Sequence, residues 1–157
     1  MIISMNRQIF ESLANEDAGH TCFEPIVREY QSKRLLNSGD NIADFKSKFL
    51  KSLTKGQRAL FMFFVYYDHA IKSKNEFQQF NKYFLDTPNI AAVKAGVKYF
   101  NDDAMFEFIT KLEALGTIEY NDFDTRYNLF YEISTKTLNI IGSYIKSNPL
   151  EFIVFDE

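Results

Sequence analysis

Residues 59–67, Ala-Leu-Phe-Met-Phe-Phe-Val-Tyr-Tyr, form the longest unbroken apolar run in the chain and limit the folds open to it. At about 100° per residue these side chains point to every side, and a helix apolar all round belongs in an interior. The run is shorter than the about 20 residues a membrane span needs. Thr54 and Gln57 precede it at the spacing of a capping box, in which each side chain satisfies a backbone N–H left unpaired at a helix start. The stretch therefore predicts a central buried helix over residues 54–72, wrapped by others.

The wrapping must come from the rest of the chain. A length of 157 residues with 46% hydrophobic content fills one core, so a single all-α domain spanning residues 1–157 is expected. With 17 Phe, 9 Tyr and no Trp, that core is built from rings. Only 3 Pro and 6 Gly punctuate the chain, which favours helices over turn-rich sheets.

In order, the pattern predicts a short helix over residues 5–14, a break at 15–19, and a helix over 25–36 with Pro25 in its first turn. The next helix carries Ile42, Phe45, Phe49, Leu50 and Leu53 on one stripe, with Lys46, Lys48 and Lys51 facing solvent opposite. Beyond the central helix, Phe77, Phe80 and Phe84 share a face. Thr87 caps a helix with Pro88 at its first position, and Asn101 caps another with Asp102 and Asp103 in its first turn, near the positive end of the dipole. A long last helix runs from residue 121 or 122 to about Ser147, where Asn148-Pro149 stops it. Residues 117–120 are the one candidate strand. The expected architecture is an array of about six to eight helices joined by short connections.

Catalytic chemistry is not written in the chain. Its two histidines are His20 and His69. His20-Thr21-Cys22 offers two metal ligands with no third, and the neighbours Asp68 and His69 do not face each other on a helix. The glycines spell neither a P-loop nor a dinucleotide fingerprint. No Lys or Arg interrupts residues 59–67, so the rings there read as core and not as a base-stacking platform. The reading is a non-enzyme with no cofactor and no metal. Gln78, Gln79 and Asn81 beside Phe77 and Phe80 are amides suited to fixing neighbouring backbone. Cys22 stands alone and no basic flank joins an apolar stretch of signal-peptide length, so a reducing cytoplasm is the expected compartment.

Four segments follow one another in a recognisable order: Leu53-Thr54 with Gln57-Arg58, Phe77-Gln78-Gln79-Phe80, Phe123-Asp124-Thr125-Arg126-Tyr127, and Tyr144-Ile145 through Asn148-Pro149-Leu150-Glu151-Phe152. Together, over about residues 50–152, they resemble the bacterial DNA-mimic protein family, a domain of unknown function. The last segment is the most specific. Where that family usually carries Gly-Gly before its Phe-x-Gln element, this chain has Asn75-Glu76, so an ordinary helix start replaces a tight glycine turn. The resemblance implies an all-α fold, no cofactor, and, for the branch of the family with an assigned role, an acidic surface that imitates DNA phosphates and occupies the DNA-binding face of a transcription factor.

Charge is distributed unevenly enough to test that implication. Residues 1–98 hold 14 Lys and Arg against 10 Asp and Glu, whereas residues 99–157 hold 4 against 11. B-DNA presents one negative charge per roughly 1.7 Å of axis, so a mimic needs several exposed carboxylates together. On a helix Asp102, Asp103, Glu107 and Glu113 span an arc of roughly 140°, away from Met105, Ile109 and Leu112, and can be exposed together. Glu119, Asp122 and Asp124 extend the patch at the next connection. The partner expected of such a surface is a basic DNA-binding protein, with no direct nucleic-acid binding and no membrane; a homodimer is compatible with it. The alternative is an immunity- or antitoxin-like protein that binds a toxin.

Overall fold

The computed structural model describes Met1, residues 3–115 and residues 122–156. Among these, eight α-helices and one pair of three-residue strands account for nearly all regular structure, so the fold is all-α as expected. The chain runs β1 (Ser4–Asn6), α1 (Arg7–Ser12), α2 (Asn15–Leu36), α3 (Ile42–Lys51), α4 (Lys55–Ala70), α5 (Lys74–Leu85), α6 (Asn89–Tyr99), α7 (Asp103–Leu115) and α8 (Phe123–Ser147). A 3-10 turn (Pro149–Glu151) and β2 (Val154–Asp156) close it. The candidate strand at 117–120 lies outside the described residues.

Helix α4 is the hub. The Gln57 amide N–H donates to Thr54 Oγ1 at 3.0 Å and Thr54 N–H donates to Gln57 Oε1 at 3.2 Å, which completes the capping box. Buried Gln57 then does a second job, its Nε2 donating to the carbonyls of Met1 and Phe152 at 3.0 and 2.9 Å. Both ends of the chain are thereby tied to the first turn of α4. Leu60, Phe63, Phe64 and Tyr66 are fully enclosed, with α2, α5 and α6 packed around the helix.

Helix α2 corrects the sequence reading. It begins at Asn15 and passes through Pro25, where a break at 15–19 and a fresh start at 25 were expected. A proline inside a helix costs about 3 kcal/mol through its missing N–H and its clash with the preceding turn. Burial outweighs that cost, because Ala18, Gly19, Cys22 and Phe23 on one side of Pro25 and Ile26 on the other form one stripe against α8 and α4. Gly19 serves the same packing: a Cβ there would lie 3.0 Å from the Phe64 ring and 3.1 Å from Ile141.

The strands correct it too. Residues 4–6 were expected to be partly helical, yet β1 pairs in parallel with β2, Met5 opposite Phe155. Phe10 packs edge-on against Phe155 at 5.4 Å, so the short pair seals one end of the core.

Helix α5 starts at Ser73, whose Oγ accepts from Glu76 N at 3.1 Å, the ordinary helix start expected in place of a glycine turn. Asn81 on this helix is buried, accepts from the Tyr66 hydroxyl at 2.7 Å and donates to the Phe77 carbonyl at 2.7 Å. Of the three amides singled out in the sequence, it is the one that ties α5 to α4.

Candidate functional site

The proposed acidic patch is only partly assembled. Asp102 is buried, at 2% exposure, and precedes α7 instead of lying on it. Its Oδ1 accepts from Met105 N at 3.0 Å, which makes it the helix cap expected at Asn101, while Asn101 takes a left-handed φ of 59°. The 140° arc fails at this residue because a cap has no helical azimuth: its carboxylate turns back onto the helix's own N–H groups. Oδ2 of Asp102 is buried with no hydrogen-bond partner among the described residues.

Asp103, Glu107 and Glu113 are exposed on α7, and Asp122 and Asp124 at the start of α8, as expected. Glu119 lies outside the described residues. Four of the five exposed carboxylates already face a cation of the chain: Glu107 with Lys111 at 2.8 Å, Glu113 with Lys94, Asp122 with Arg126 at 3.2 Å and Asp124 with Lys74 at 3.4 Å. Lys111 donates to Glu107 and holds its carboxyl below the usual carboxylate range. The two pairs exposed on both sides, Glu107 with Lys111 and Asp124 with Lys74, are each worth about 0–1 kcal/mol, so a partner's cation can exchange into them, whereas Lys94 and Arg126 are mostly buried. Asp103 alone of the five has no ion pair among the described residues.

These placements separate two neighbours. Asp102→Ala is expected to cost about 1 kcal/mol, within the 0.5–2 kcal/mol typical of a lost N-cap, because Met105 N is left unpaired in the interior. Asp103→Ala should stay within about 0.5 kcal/mol, as exposed changes do. Urea denaturation of the two variants checks this, and equal effects would refute the capping role.

A run of cations without ion pairs lies on another part of the chain. Between Asp44 and Asp68 the chain has no carboxylate, yet it carries Lys46, Lys48, Lys51, Lys55 and Arg58. None of the five enters an ion pair among the described residues. Lys46 Nζ donates to Asn89 Oδ1 at 3.0 Å and Arg58 Nε to the Leu50 carbonyl at 3.1 Å; Lys48, Lys51 and Lys55 extend into solvent. Lys48 and Lys51 lie in solvent as the sequence led us to expect, in an interval that holds no carboxylate.

Beside Lys55 and Arg58 runs a groove of about 360 Å³ between α4 and α6. Its floor is Ala59, Met62 and Gly96, and it is shallow because the two helices nearly touch: a Cβ at Gly96 would lie 2.8 Å from the Ala59 carbonyl oxygen. Tyr99 ends the groove, its hydroxyl donating to Glu151. Burial, and then that carboxylate, push the Tyr99 hydroxyl well above the ordinary tyrosine range.

The histidines do not converge. His20 Nε2 lies 3.3 Å from Asp68 Oδ2, a pairing across α2 and α4 that sequence adjacency hid, whereas His69 stacks on Phe80 at 4.3 Å. Cys22 is fully buried, and burial pushes its thiol up to about 12, far from a thiolate nucleophile. Among the described residues no three His, Cys, Asp or Glu are grouped as a metal would need, and no helix is long and apolar enough to cross a membrane.

Set against protein-family models, curated proteins and solved structures, the chain has no match in any of the three. The four segments singled out in the sequence meet in two pairs. Thr54 Oγ1 donates to the Glu151 carbonyl at 2.6 Å and Gln57 to that of Phe152, so the first and last segments are bonded together. Phe77 packs on Phe123 and Tyr127, and the Tyr127 hydroxyl donates to the Ile71 carbonyl at 2.9 Å. Each of these residues has a packing role.

Proposed function

We propose that this chain is a non-catalytic protein-binding protein whose partner-facing surface is the cationic stretch of α3 and the start of α4, and whose partner is acidic. The observation that carries this reading is the contrast in compensation. Lys48, Lys51 and Lys55 form no ion pair among the described residues, while four of the five exposed carboxylates on α7 and α8 are held by the chain's own cations. Unpaired charge steers association and sets which partner is accepted. An apolar groove floor next to Lys55 and Arg58 suits protein side chains better than a phosphate backbone, and a net charge of −3 disfavours nucleic acid at long range. An immunity- or antitoxin-like pairing with a toxin is one form this would take.

DNA mimicry is the second reading, supported by the family resemblance and by the exposure of Asp103, Glu107, Glu113, Asp122 and Asp124. It calls for a basic DNA-binding partner held by those carboxylates. One experiment divides the two. A partner captured from the native cell is titrated with two variants, Lys48→Glu/Lys51→Glu/Lys55→Glu and Asp103→Asn/Glu107→Gln/Asp122→Asn/Asp124→Asn. The first reading expects the lysine variant to bind at least about tenfold more weakly and the amide variant to bind within about twofold of the parent, with affinity falling as salt rises. The reverse pattern, with DNA competing for the partner, would replace it by the mimic.

A further inference from the structure

A second concavity has a different character from the α4–α6 groove. It lies between α2 and α4, holds about 410 Å³, and is walled by the rings of Phe23, Tyr30, Phe61 and Phe64. Its volume falls within the roughly 300–1,000 Å³ of small-molecule sites, which are lined mainly by apolar and aromatic groups with a few polar ones. We propose that this cleft binds a small organic anion with an alkyl or aryl body, its charged head held by Lys46 of α3. This goes beyond protein binding and does not depend on it.

Lys46 is the reason for the charge of the ligand. Its side chain is half-buried at the rim, and its ammonium donates to the neutral Asn89 Oδ1 at 3.0 Å and forms no ion pair among the described residues. A half-buried cation without a counter-ion has lost hydration that no carboxylate replaces, and that burial lowers its pKa. An anion brought into the cleft supplies what is missing. Lys72, exposed where the cleft opens near the end of α4, adds a second positive charge. The one carboxylate on the wall, Asp68, is turned toward His20 at 3.3 Å, so it does not neutralise Lys46 by an ion pair. The ligand's body would meet half-buried Val27, Tyr30 and Val65, which overlie the closed rings of Phe23, Phe61 and Phe64; Phe23 and Phe64 stack at 5.2 Å and Tyr30 meets Phe61 at 5.4 Å, so the cleft has a rigid aromatic base.

The probe is decanoate below its micellar concentration, titrated calorimetrically into the full chain, with decanol as the uncharged control. Saturable 1:1 binding of decanoate is expected, at least about tenfold tighter than decanol, the scale of a charge-assisted hydrogen bond. Lys46→Gln should erase that preference, and Lys48→Gln should leave it. Val65→Phe, which fills the cleft from α4, should abolish binding of both probes with α-helical circular dichroism unchanged. Absence of saturable binding, uptake of many decanoates per chain, or an undiminished preference in Lys46→Gln would each overturn the assignment. Should Lys46→Gln fail to fold, retention of decanoate by Val65→Phe overturns it independently.

Discussion

Gly142→Ala is expected to destabilise the protein by more than about 3 kcal/mol, or to prevent folding. A Cβ at this position would lie 1.8 Å from the Asn15 carbonyl oxygen and 2.5 Å from its carbon. Overpacking a core by a methyl group ordinarily costs about 1–3 kcal/mol, because neighbouring side chains shift to absorb it. Here the obstacle is backbone at the first residue of α2, and it is held in place. Asn139 Nδ2 donates to Glu16 Oε1 at 3.0 Å and Lys146 Nζ donates to the Leu13 carbonyl on either side of the contact. Relief requires α2 and α8 to separate, and theirs is the most extensive helix pairing among the described residues. Intrinsic propensity runs the other way, since alanine is about 1 kcal/mol better than glycine inside a helix. A net loss therefore reports the close approach and nothing local. Urea denaturation measures it, with Gly39→Ala as the control: a Cβ there meets nothing within 4 Å, and the variant should stay within about 1 kcal/mol of the parent. A stability for Gly142→Ala inside that same window would show that the helices do not cross this closely.

What the sequence made legible was what neighbouring residues decide. The capping box of α4 is four residues of local chemistry, and an all-apolar helix can only be central, so both were readable. Helix α2 was not, because Gly19 and Pro25 argue against a helix locally and only the ring of Phe64 and the face of α8 override them. The strands β1 and β2 have three residues each and pair across almost the whole chain, which no periodicity can announce. The acidic patch was legible only in part, by the same rule. Its seven carboxylates were countable, but Lys94 reaching Glu113 from α6 and Lys74 reaching Asp124 from α5 are tertiary facts. Asp102 was lost by assigning a helical azimuth to a residue one position outside the helix. The acid-free interval from Phe45 to Tyr67 is plain in the sequence, where an amphipathic lysine face usually means solvent. Lys46 became distinct from Lys48 only when α6 brought Asn89 to it.

Phe64→Ala should cost about 3–5 kcal/mol, the range for emptying a buried phenylalanine site, and Phe63→Ala about the same. Both side chains have no exposed surface. Phe64 is the denser node: Phe23 stacks on it at 5.2 Å, Phe63 and Tyr67 meet it edge-on at 5.2 and 5.8 Å, and the His20 ring closes the far side at 5.5 Å. Rings cannot collapse into the vacated space as flexible side chains would, so most of the cavity should persist. For a domain stabilised by about 5–15 kcal/mol overall, such a loss is a large fraction of the total. Tyr83→Ala, at a position 57% exposed, should change stability by less than about 1 kcal/mol. If both Phe63→Ala and Phe64→Ala also fell below 1 kcal/mol, α4 would not be the buried hub. The packing of Gly19 sharpens the test. A Cβ at residue 19 would sit 3.0 Å from the Phe64 ring, so Gly19→Ala is overpacked in the parent and relieved once that ring is gone. The double variant Gly19→Ala/Phe64→Ala should then be more stable than the sum of the two single changes, by the 0.5–3 kcal/mol typical of residues in contact. Strict additivity would mean that the two helices do not meet at this pair.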